Sequence, residues 1–468
     1  MHKQILIDDA LSFMRIGVLS EGTLHQVYIQ DEEDVLSQNT VVQGQVQKVV
    51  KNLKAAFIDF GKDKNGLLHF SGVPETYLKH LQPGMRLPVQ VQKENKGEKG
   101  DRLTAMVSIQ GYYLVALPFE AGIQISKKIK DKSIKAELRS WIEEVALEDV
   151  GFIVRTNAEK ASREELIDEA AFLLEKVNQF RKMKDAMQKG TTLIEIDPLY
   201  WQVIKEHVTP EDSVEIICNN EQILKDVEER QKVFLKNVEF TYKVYPYYEN
   251  IFRMFSIEKD FMDILKRKIW LKNGGNIVID YTEAMTVIDV NSAKAIEGKN
   301  SRVAVRKLNE LAIEESLYQI MRRNLSGIII IDLVDLKSKE DRILLYEFAK
   351  KRFMALDGRR SKIYPLTELD LLQITRTKKY LPIHQKLKTA EGEYHFNYIF
   401  FEIEQKIKLT ASETAMNQIY LYGHSELLTW IKTTDRDRLI EEAYGIKLHL
   451  IEKTALSKRS YEIKYHLA

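Results

Sequence analysis

Two aspartates stand at the ends of apolar runs in this sequence. Asp289 follows the run 286–288, Asp332 follows the run 328–331, and Asn291 lies two residues after the first aspartate. An ionised carboxylate is costly inside an apolar layer unless it is paired or binds a metal, and open α/β sheets bind ligands at the carboxyl edge of their strands. Two carboxylates and an amide supply the hard oxygen ligands that Mg²⁺ prefers. The pattern therefore predicts a magnesium site that could activate water against a phosphate ester.

A plainer interpretation is structural. A single aspartate at the end of a strand more often caps the helix that follows than binds a metal. Two such strands within one short unit favour the metal, although they say little about which substrate would be bound. The sequence leaves both interpretations open at this point.

The elements that must position these aspartates lie between residues 276 and 382. Periodicity predicts two strands joined by a tight turn, at 276–281 and 285–290, and a helix over 302–323. The segment 328–333 predicts a strand, and the continuous apolar run within it indicates that the strand is buried on both faces. A second helix is predicted over 339–356.

The preceding part of the chain is rich in short strands. Glu21-Gly22 predicts a hairpin turn between strands at 13–19 and 23–30, after a first strand at 3–7. Five further short strands with glycines at their corners predict a small barrel. They are 40–50, 55–60, 66–70, 86–93 and 104–109. The charged stretch 94–102 is predicted to be an exposed loop.

Residues 113–200 mix strands and helices, with a helix predicted over 134–145 and a strand over 151–155. Ser162 and Glu165 match a capping box, which opens a helix predicted to run to about residue 188. Residues 389–468 differ in composition and predict a separate small α+β unit.

Composition excludes several classes of protein. The 468 residues are 44% hydrophobic and 30% charged, with a formal net charge of +1, so any polyanion site must come from local clusters of bases. The one cysteine, Cys218, cannot form an internal disulfide, which favours a reducing compartment. No run approaches the roughly 20 apolar residues that span a bilayer. We expect a cytoplasmic protein without a membrane partner.

The carboxylate motifs resemble those of the ribonuclease E/G family. The segment 289–293, Asp-Val-Asn-Ser-Ala, and the segment 331–335, Ile-Asp-Leu-Val-Asp, are similar to the two motifs that hold the family's metal. The resemblance implies that Asp289 and Asp332 bind Mg²⁺, with Mn²⁺ as a substitute, and that Asn291 supports them in catalysis.

The segment 53–68 resembles the S1 barrel of that family. Phe57 matches an aromatic residue that stacks on RNA, and a second aromatic position of the family is occupied here by Leu67. Lys99 corresponds to a lysine that contacts RNA. The resemblance therefore implies that Phe57, Leu67 and Lys99 lie at an RNA-binding surface. A bland alternative is that Phe57 belongs to the barrel core.

The segment 151–156 resembles the family's sensor for a 5′-monophosphate. Arg155 and Thr156 correspond to residues that hold the terminal phosphate, and Arg360 corresponds to another arginine of that pocket. Gly111 and Val115 match a stretch that lines it. Guanidinium groups bind phosphate oxygens through two parallel hydrogen bonds, which agrees with this role.

One family feature is missing. The family carries a Cys-Pro-x-Cys pair that shares a zinc ion across a dimer, whereas residues 376–382 read Arg-Thr-Lys-Lys-Tyr-Leu-Pro. No zinc link is therefore expected, and a homodimer is left open. The chain resembles the short, ribonuclease G-like form.

The resemblance also implies a fold class, multidomain α/β and α+β. Its expected parts are an RNase H-like scaffold (1–38 with 201–275), an S1 barrel of the OB type (39–112), a 5′-phosphate sensor region (113–200), a DNase I-like catalytic domain (276–382) and a small C-terminal α+β domain (383–468).

The function implied is Mg²⁺-dependent cleavage of single-stranded, AU-rich RNA to 5′-phosphate and 3′-hydroxyl ends, stimulated by a 5′-monophosphate. The expected substrates are rRNA precursors or mRNA, in rRNA maturation or mRNA decay. Two alternatives stay open: a non-catalytic RNA-binding or ribosome-associated protein that uses the barrel, and a nuclease that acts on DNA. The S1-like barrel weighs against DNA because ribose recognition uses the 2′-hydroxyl.

Overall fold

A computed structural model describes most of the chain. The described residues are 1–31, 39–93, 100–184, 187–292, 301–336, 338–357, 361–389, 391–413 and 417–465. The chain divides into two compact units, the first of residues 1–31, 213–221 and 240–468 and the second of residues 32–212 and 222–239.

Short strands carry most of the regular structure. In chain order they are β1 (His2–Asp8), β2 (Phe13–Ser20), β3 (Thr23–Asp31), β4 (Val41–Val50), β5 (Ala55–Asp59), β6 (Gly66–His69), β7 (Arg86–Lys93), β8 (Arg102–Thr104), β9 (Ile109–Gln110), β10 (Leu114–Leu117), β11 (Ile123–Ile125), β12 (Gly151–Val154), β13 (Thr192–Ile194), β14 (Ser213–Cys218), β15 (Glu239–Val244), β16 (Lys268–Trp270), β17 (Asn276–Tyr281), β18 (Met285–Asn291), β19 (Gly327–Asp332), β20 (Ser361–Ile363), β21 (Leu371–Arg376), β22 (Gln418–Gly423), β23 (Lys447–Glu452) and β24 (Tyr461–Tyr465).

Helices connect or cover these strands. They are α1 (Glu75–Leu78), α2 (Lys132–Glu143), α3 (Arg163–Met183), α4 (Leu199–His207), α5 (Glu221–Phe234), α6 (Ile251–Met254), α7 (Glu258–Ile264), α8 (Ser301–Arg322), α9 (Lys339–Asp357), α10 (Ile383–Leu387), α11 (Phe396–Glu413), α12 (Ser425–Thr433) and α13 (Arg436–Tyr444). Within the described residues, no helix is both long enough and apolar enough to cross a membrane.

The first unit begins with a five-stranded sheet in the order β15-β14-β1-β2-β3. Its hairpin turn at Glu21-Gly22 is confirmed. The two residues have φ values of 48° and 72° and separate the paired residues Ser20 and Thr23. Positive φ at both central positions is what a tight type I′ turn requires.

The two strand-end aspartates belong to a second sheet of this unit, in the order β16-β17-β18-β19-β21-β20. Apolar residues of α8 and α9, such as Leu317 and Leu345, pack with Ile288 and Ile331 of the sheet in one core. The predicted strands and helices between 276 and 357 are thus present.

The prediction that the strand at 328–333 is buried on both faces is wrong. Ile329 and Ile331 are fully buried, but Ile328 is 46% exposed and Asp332 is exposed. Neighbouring side chains of a strand point to opposite faces, and α8 and α9 pack on the face of Ile329 and Ile331. The opposite side of the sheet, which carries Asp332, is called the open face below.

The C-terminal part of the first unit is a three-stranded sheet in the order β23-β22-β24, packed with α11, α12 and α13. This arrangement confirms the α+β character that composition predicts for residues 389–468.

The second unit contains the predicted barrel. Its strands pair in the order β4-β5-β6-β8-β7, and β7 pairs back with β4 to close the ring. The prediction of the fifth strand at 104–109 is wrong, because residues 102–104 close the barrel and residues 109–110 join the next sheet. The carbonyl of Gly72 explains this ending, since it accepts hydrogen bonds from the amides of Ala105 (2.7 Å) and Met106 (3.1 Å) and turns the chain away. Of the predicted loop 94–102, residues 94–99 lie outside the described residues.

A four-stranded sheet in the order β11-β12-β10-β9 follows, with α2 and α3 packed beside it. The capping box of Ser162 and Glu165 at the start of α3 is confirmed. The helix ends at residue 183, earlier than predicted, because the Gly190 amide donates to the Gln43 carbonyl at 2.8 Å and draws this segment onto the barrel.

The fold class predicted from the sequence, multidomain α/β and α+β with a small barrel, is confirmed. The finer domain boundaries, and the RNase H-like and DNase I-like names for parts of the first unit, stay predictions.

Candidate functional site

The parallel pairing of β18 with β19 brings the two strand-end aspartates together. Asp289 and Asp332 are register partners, which places their Cα atoms one strand spacing apart, about 4.8 Å. Ile288 and Ile331, the residues before them, are also register partners and are fully buried in the core. Because side chains alternate along a strand, both carboxylates lie on the open face, where they are exposed.

Asn291 also lies on the open face, two residues beyond Asp289 on β18. Its Nδ2 donates a hydrogen bond to Oδ2 of Asp289 at 2.7 Å. This contact fixes the orientation of one carboxylate oxygen and leaves the amide carbonyl of Asn291 as a further acceptor.

The electrostatics of the pair favour a bound cation. Partial burial, together with the negative charges of Asp289 and Asp335, raises the pKa of Asp332 above its ordinary value. Like charges held one strand apart repel, and a cation between them offsets the repulsion.

The donor set fits a hard divalent cation that takes its remaining ligands from water or substrate, because it supplies two carboxylates and an amide oxygen. In the part of the chain that the structure describes, no group of three or more histidine, cysteine, aspartate or glutamate side chains could hold a metal by itself. A cation here would thus depend on both aspartates together with further ligands. Residues 293–300, directly after this strand end, lie outside the described residues.

The barrel brings the two predicted RNA-binding residues Phe57 and Leu67 together as register partners of β5 and β6. Both are partly exposed, so Phe57 is not confined to the core. Further register partners extend this pair across the barrel strands, to Lys48 on one side and to Arg102 and Lys93 on the other. These five residues are called the barrel row below. These three bases are exposed, and the row combines a stacking surface with positive charge.

Sequence reasoning missed Lys48, Arg102 and Lys93. Each is an exposed basic residue in a short strand, which is an ordinary position for such a residue. The sequence does not show which strands lie side by side, so it could not place these three bases in one row with Phe57 and Leu67. Lys99, predicted to contact RNA, lies outside the described residues.

The predicted phosphate-sensor residues surround the strand pair β10 and β12. Val115 pairs with Ile153 across these strands. Arg155 follows the end of β12, and its Nη1 donates to the carbonyl of Gly111 at 2.9 Å. The hydroxyl of Thr156 lies 3.0 Å from that of Ser126. Four of the five predicted residues are therefore near one another. The fifth, Arg360, lies outside the described residues.

A buried carboxylate that the sequence did not single out supports this cluster. Oε1 of Glu169 accepts hydrogen bonds from the amides of Tyr113 and Leu114, both at 2.9 Å. A Cβ on Gly111 would lie only 2.0 Å from that same oxygen, so this position requires glycine. Glu169 thus sets the backbone path from Gly111 to Leu114.

Burial raises the pKa of Glu169 to about 7, although the two backbone donors and the positive charges of Lys205 and Arg155 act in the opposite direction. Arg155 thus binds the Gly111 carbonyl, and its positive charge favours the ionised form of Glu169.

Two models of protein families match parts of this chain. The model of the "Ribonuclease E/G family" matches residues 108–379, and the model of the "S1 RNA binding domain" matches residues 36–105. The first match covers more than half of the chain, so this protein belongs to the ribonuclease E/G family.

Relatives with names in this family extend over most of the chain. Ribonuclease G of Escherichia coli is 27% identical over 395 residues, which cover 81% of this chain and 80% of the relative. Ribonuclease E of a Nostoc species is 27% identical over 459 residues, 93% of this chain and 65% of the relative. Ribonuclease E of a Synechocystis species is 30% identical over 373 residues, 72% of this chain and 51% of the relative.

Proposed function

We propose that this protein is an endoribonuclease that hydrolyses phosphodiester bonds of single-stranded RNA at the edge formed by Asp289 and Asp332. The observation that carries the proposal is the register pairing of the two carboxylates on the open face. Membership in the ribonuclease E/G family, relatives named ribonuclease G and ribonuclease E, and the S1 match support RNA as the substrate.

Asp289 and Asp332 would hold Mg²⁺, with Mn²⁺ as a substitute. When bound, the cation lowers the pKa of water and offsets charge on the scissile phosphate. Asn291 keeps Oδ2 of Asp289 in place through its 2.7 Å hydrogen bond. The products are a 5′-phosphate and a 3′-hydroxyl.

The barrel row supports binding of a single strand. Phe57 offers a ring for a base, and Lys48, Arg102 and Lys93 offer charges for phosphates. Stacking and backbone charge bind strands with little sequence preference, so a preference for AU-rich RNA rests on the family resemblance alone.

The cluster of Gly111, Val115, Arg155 and Thr156 is proposed to bind a 5′-monophosphate and to stimulate cleavage. Arg155 has the guanidinium geometry that binds phosphate oxygens, and Thr156 adds a hydroxyl. Roles in rRNA maturation and mRNA decay, a cytoplasmic location and a homodimer that needs no zinc belong to this proposal as well.

The test is cleavage of a short AU-rich RNA with Mg²⁺, as matched 5′-monophosphate and 5′-hydroxyl forms. Asp289→Asn and Asp332→Asn should each abolish cleavage while RNA binding persists. Asp280→Asn is the matched control, because Asp280 lies on the neighbouring strand β17 and its side chain pairs with Arg267 at the surface. That variant should cut normally, and the 5′-hydroxyl substrate should be cut more slowly.

Other outcomes decide between the alternatives. If the wild type binds the RNA but never cuts it, the protein is a non-catalytic RNA-binding protein. If either aspartate variant cuts at the wild-type rate, the site is assigned wrongly. If a DNA oligonucleotide of the same sequence is cut equally well, the RNA specificity is wrong.

A further inference from the structure

The open face carries an exposed tryptophan close to the carboxylate pair. Trp270 on β16 is 64% exposed, although tryptophan is among the side chains that gain most from burial. Its neighbour Ile269 points to the opposite side and is part of the core. Because side chains alternate along the strand, the indole lies on the open face, together with the two carboxylates.

Register places Trp270 beside the site. Trp270 pairs with Asn276 of β17, and Asn276 pairs with Asn291 of β18. Trp270 is thus two strands from Asn291 in the same row, a distance of about 10 Å at 4.8 Å per strand. Asn291 is the residue that binds Asp289, so the indole flanks the carboxylate edge.

A lysine accompanies the ring. Lys268 lies on the same side of β16, with its Nζ 4.2 Å from the centroid of the Trp270 ring. Its row runs through Val278 to Asp289. Among the described residues, no carboxylate forms an ion pair with Lys268 or with the exposed Lys272 of the adjoining turn.

A flat π-system beside uncompensated positive charge complements a single nucleic-acid strand, whose bases stack and whose phosphates carry negative charge. Lys268 lies in the same row as Asp289, which favours an anionic strand that reaches the carboxylates over a protein partner. The surface of Trp270 and Lys268 is continuous with the carboxylate edge, so the same strand that is cut at that edge can also bind this surface.

We propose that Trp270 and Lys268 form a nucleotide subsite next to the cleavage point. The indole stacks on the base of a flanking nucleotide, and the ammonium group of Lys268 binds a neighbouring phosphate. The subsite rests on the proposed nuclease function and adds two residues that set the position of the strand over Asp289 and Asp332.

The test combines Trp270→Ala with RNAs that lack one base at a time. In the Asp289→Asn background, which binds without cutting, removal of one flanking base should weaken binding about 10-fold, as loss of one stacked base does. In Trp270→Ala the same removal should have no effect, because the partner is gone. Trp270→Phe should restore most of the difference, and Lys268→Ala should weaken binding of all the RNAs alike.

Ile343→Ala is the matched control, since Ile343 is 63% exposed on α9, the helix that packs on the opposite side of the sheet. It should not change binding. If every missing base affects Trp270→Ala as it affects its parent, the subsite is wrong even though the wild type cuts RNA. If the wild type neither binds nor cuts RNA, the proposed function itself fails.

Discussion

Stability should fall with rising pH because of one buried carboxyl group. Glu169 on α3 is fully buried, and burial raises its pKa from an ordinary 4.5 to about 7. Between these two values the native protein keeps a proton on Glu169 that the unfolded chain has lost. Unfolding therefore becomes easier as pH rises through this window.

The magnitude follows from the pKa difference. At 1.36 kcal/mol for each pKa unit, the change from 4.5 to about 7 lowers the free energy of unfolding by about 3 kcal/mol above neutral pH. Most of this loss, roughly 2–3 kcal/mol, falls between pH 5 and pH 8. Since Glu169 is fully buried, solvent does not screen the effect.

Glu169→Gln should remove this pH dependence. The amide is neutral at every pH, and its carbonyl oxygen can accept both backbone hydrogen bonds, because Tyr113 and Leu114 donate to the same oxygen of Glu169. Urea unfolding of wild type and variant at pH 5 and pH 8 gives the difference in stability at each pH. From pH 5 to pH 8 that difference should move in favour of the variant by roughly 2–3 kcal/mol.

The control is Glu175→Gln, the same substitution at an exposed position of the same helix. Its stability should follow the wild type at both pH values. If Glu169→Gln also runs parallel to the wild type, Glu169 does not take up a proton in this range and the reasoning is refuted.

Three further experiments test the surfaces of the second unit. Phe57→Ala should weaken binding of a single-stranded RNA by about 1–3 kcal/mol, measured by filter binding. Phe60→Ala removes a fully buried ring, so it should instead lower the free energy of unfolding by about 3–5 kcal/mol. Lys48→Ala combined with Arg102→Ala should lower the slope of log affinity against log salt by about 1.4, at 0.7 for each phosphate contact; an unchanged slope would contradict phosphate binding. Gly111→Ala should cost about 1–3 kcal/mol of stability by overpacking and reduce the ratio of cleavage rates on 5′-monophosphate and 5′-hydroxyl RNA.

The carboxylate pair could be predicted from the sequence because the features that determine it are local. An apolar run that ends in aspartate sets a strand end, and the sequence has two such runs. Parallel neighbours align their carboxyl ends, which brings Asp289 and Asp332 together. The helix start at Ser162 was accessible for the same reason, because a capping box involves residues three apart.

The sequence was not sufficient to predict which face of β19 is buried. The four residues before Asp332 are all isoleucine, so their side chains do not show which of them α8 and α9 cover. That choice depends on a layer formed by residues before and after the strand. Exposure of Ile328 and burial of Ile329 appear only once the helices are packed.

Glu169 and Arg102 were missed for a related reason. Glu169 acts on the amides of Tyr113 and Leu114, more than fifty residues earlier in the chain. Arg102 belongs to the barrel row only through its pairing with Leu67 of β6. Nothing in the local sequence distinguishes either residue from an ordinary charged position.

The position of the carboxylates follows from the hydrophobic core. A slip of β19 by one residue would turn every side chain of the strand to the other face. Asp332 would then enter the core and Ile331 would leave it, which would bury an unpaired charge and expose a residue that is now fully buried. Burial of Ile329 and Ile331 thus fixes the register, and the register holds Asp332 beside Asp289. The two acidic groups repel each other, so the core supplies the energy that keeps them paired until a cation offsets their charge.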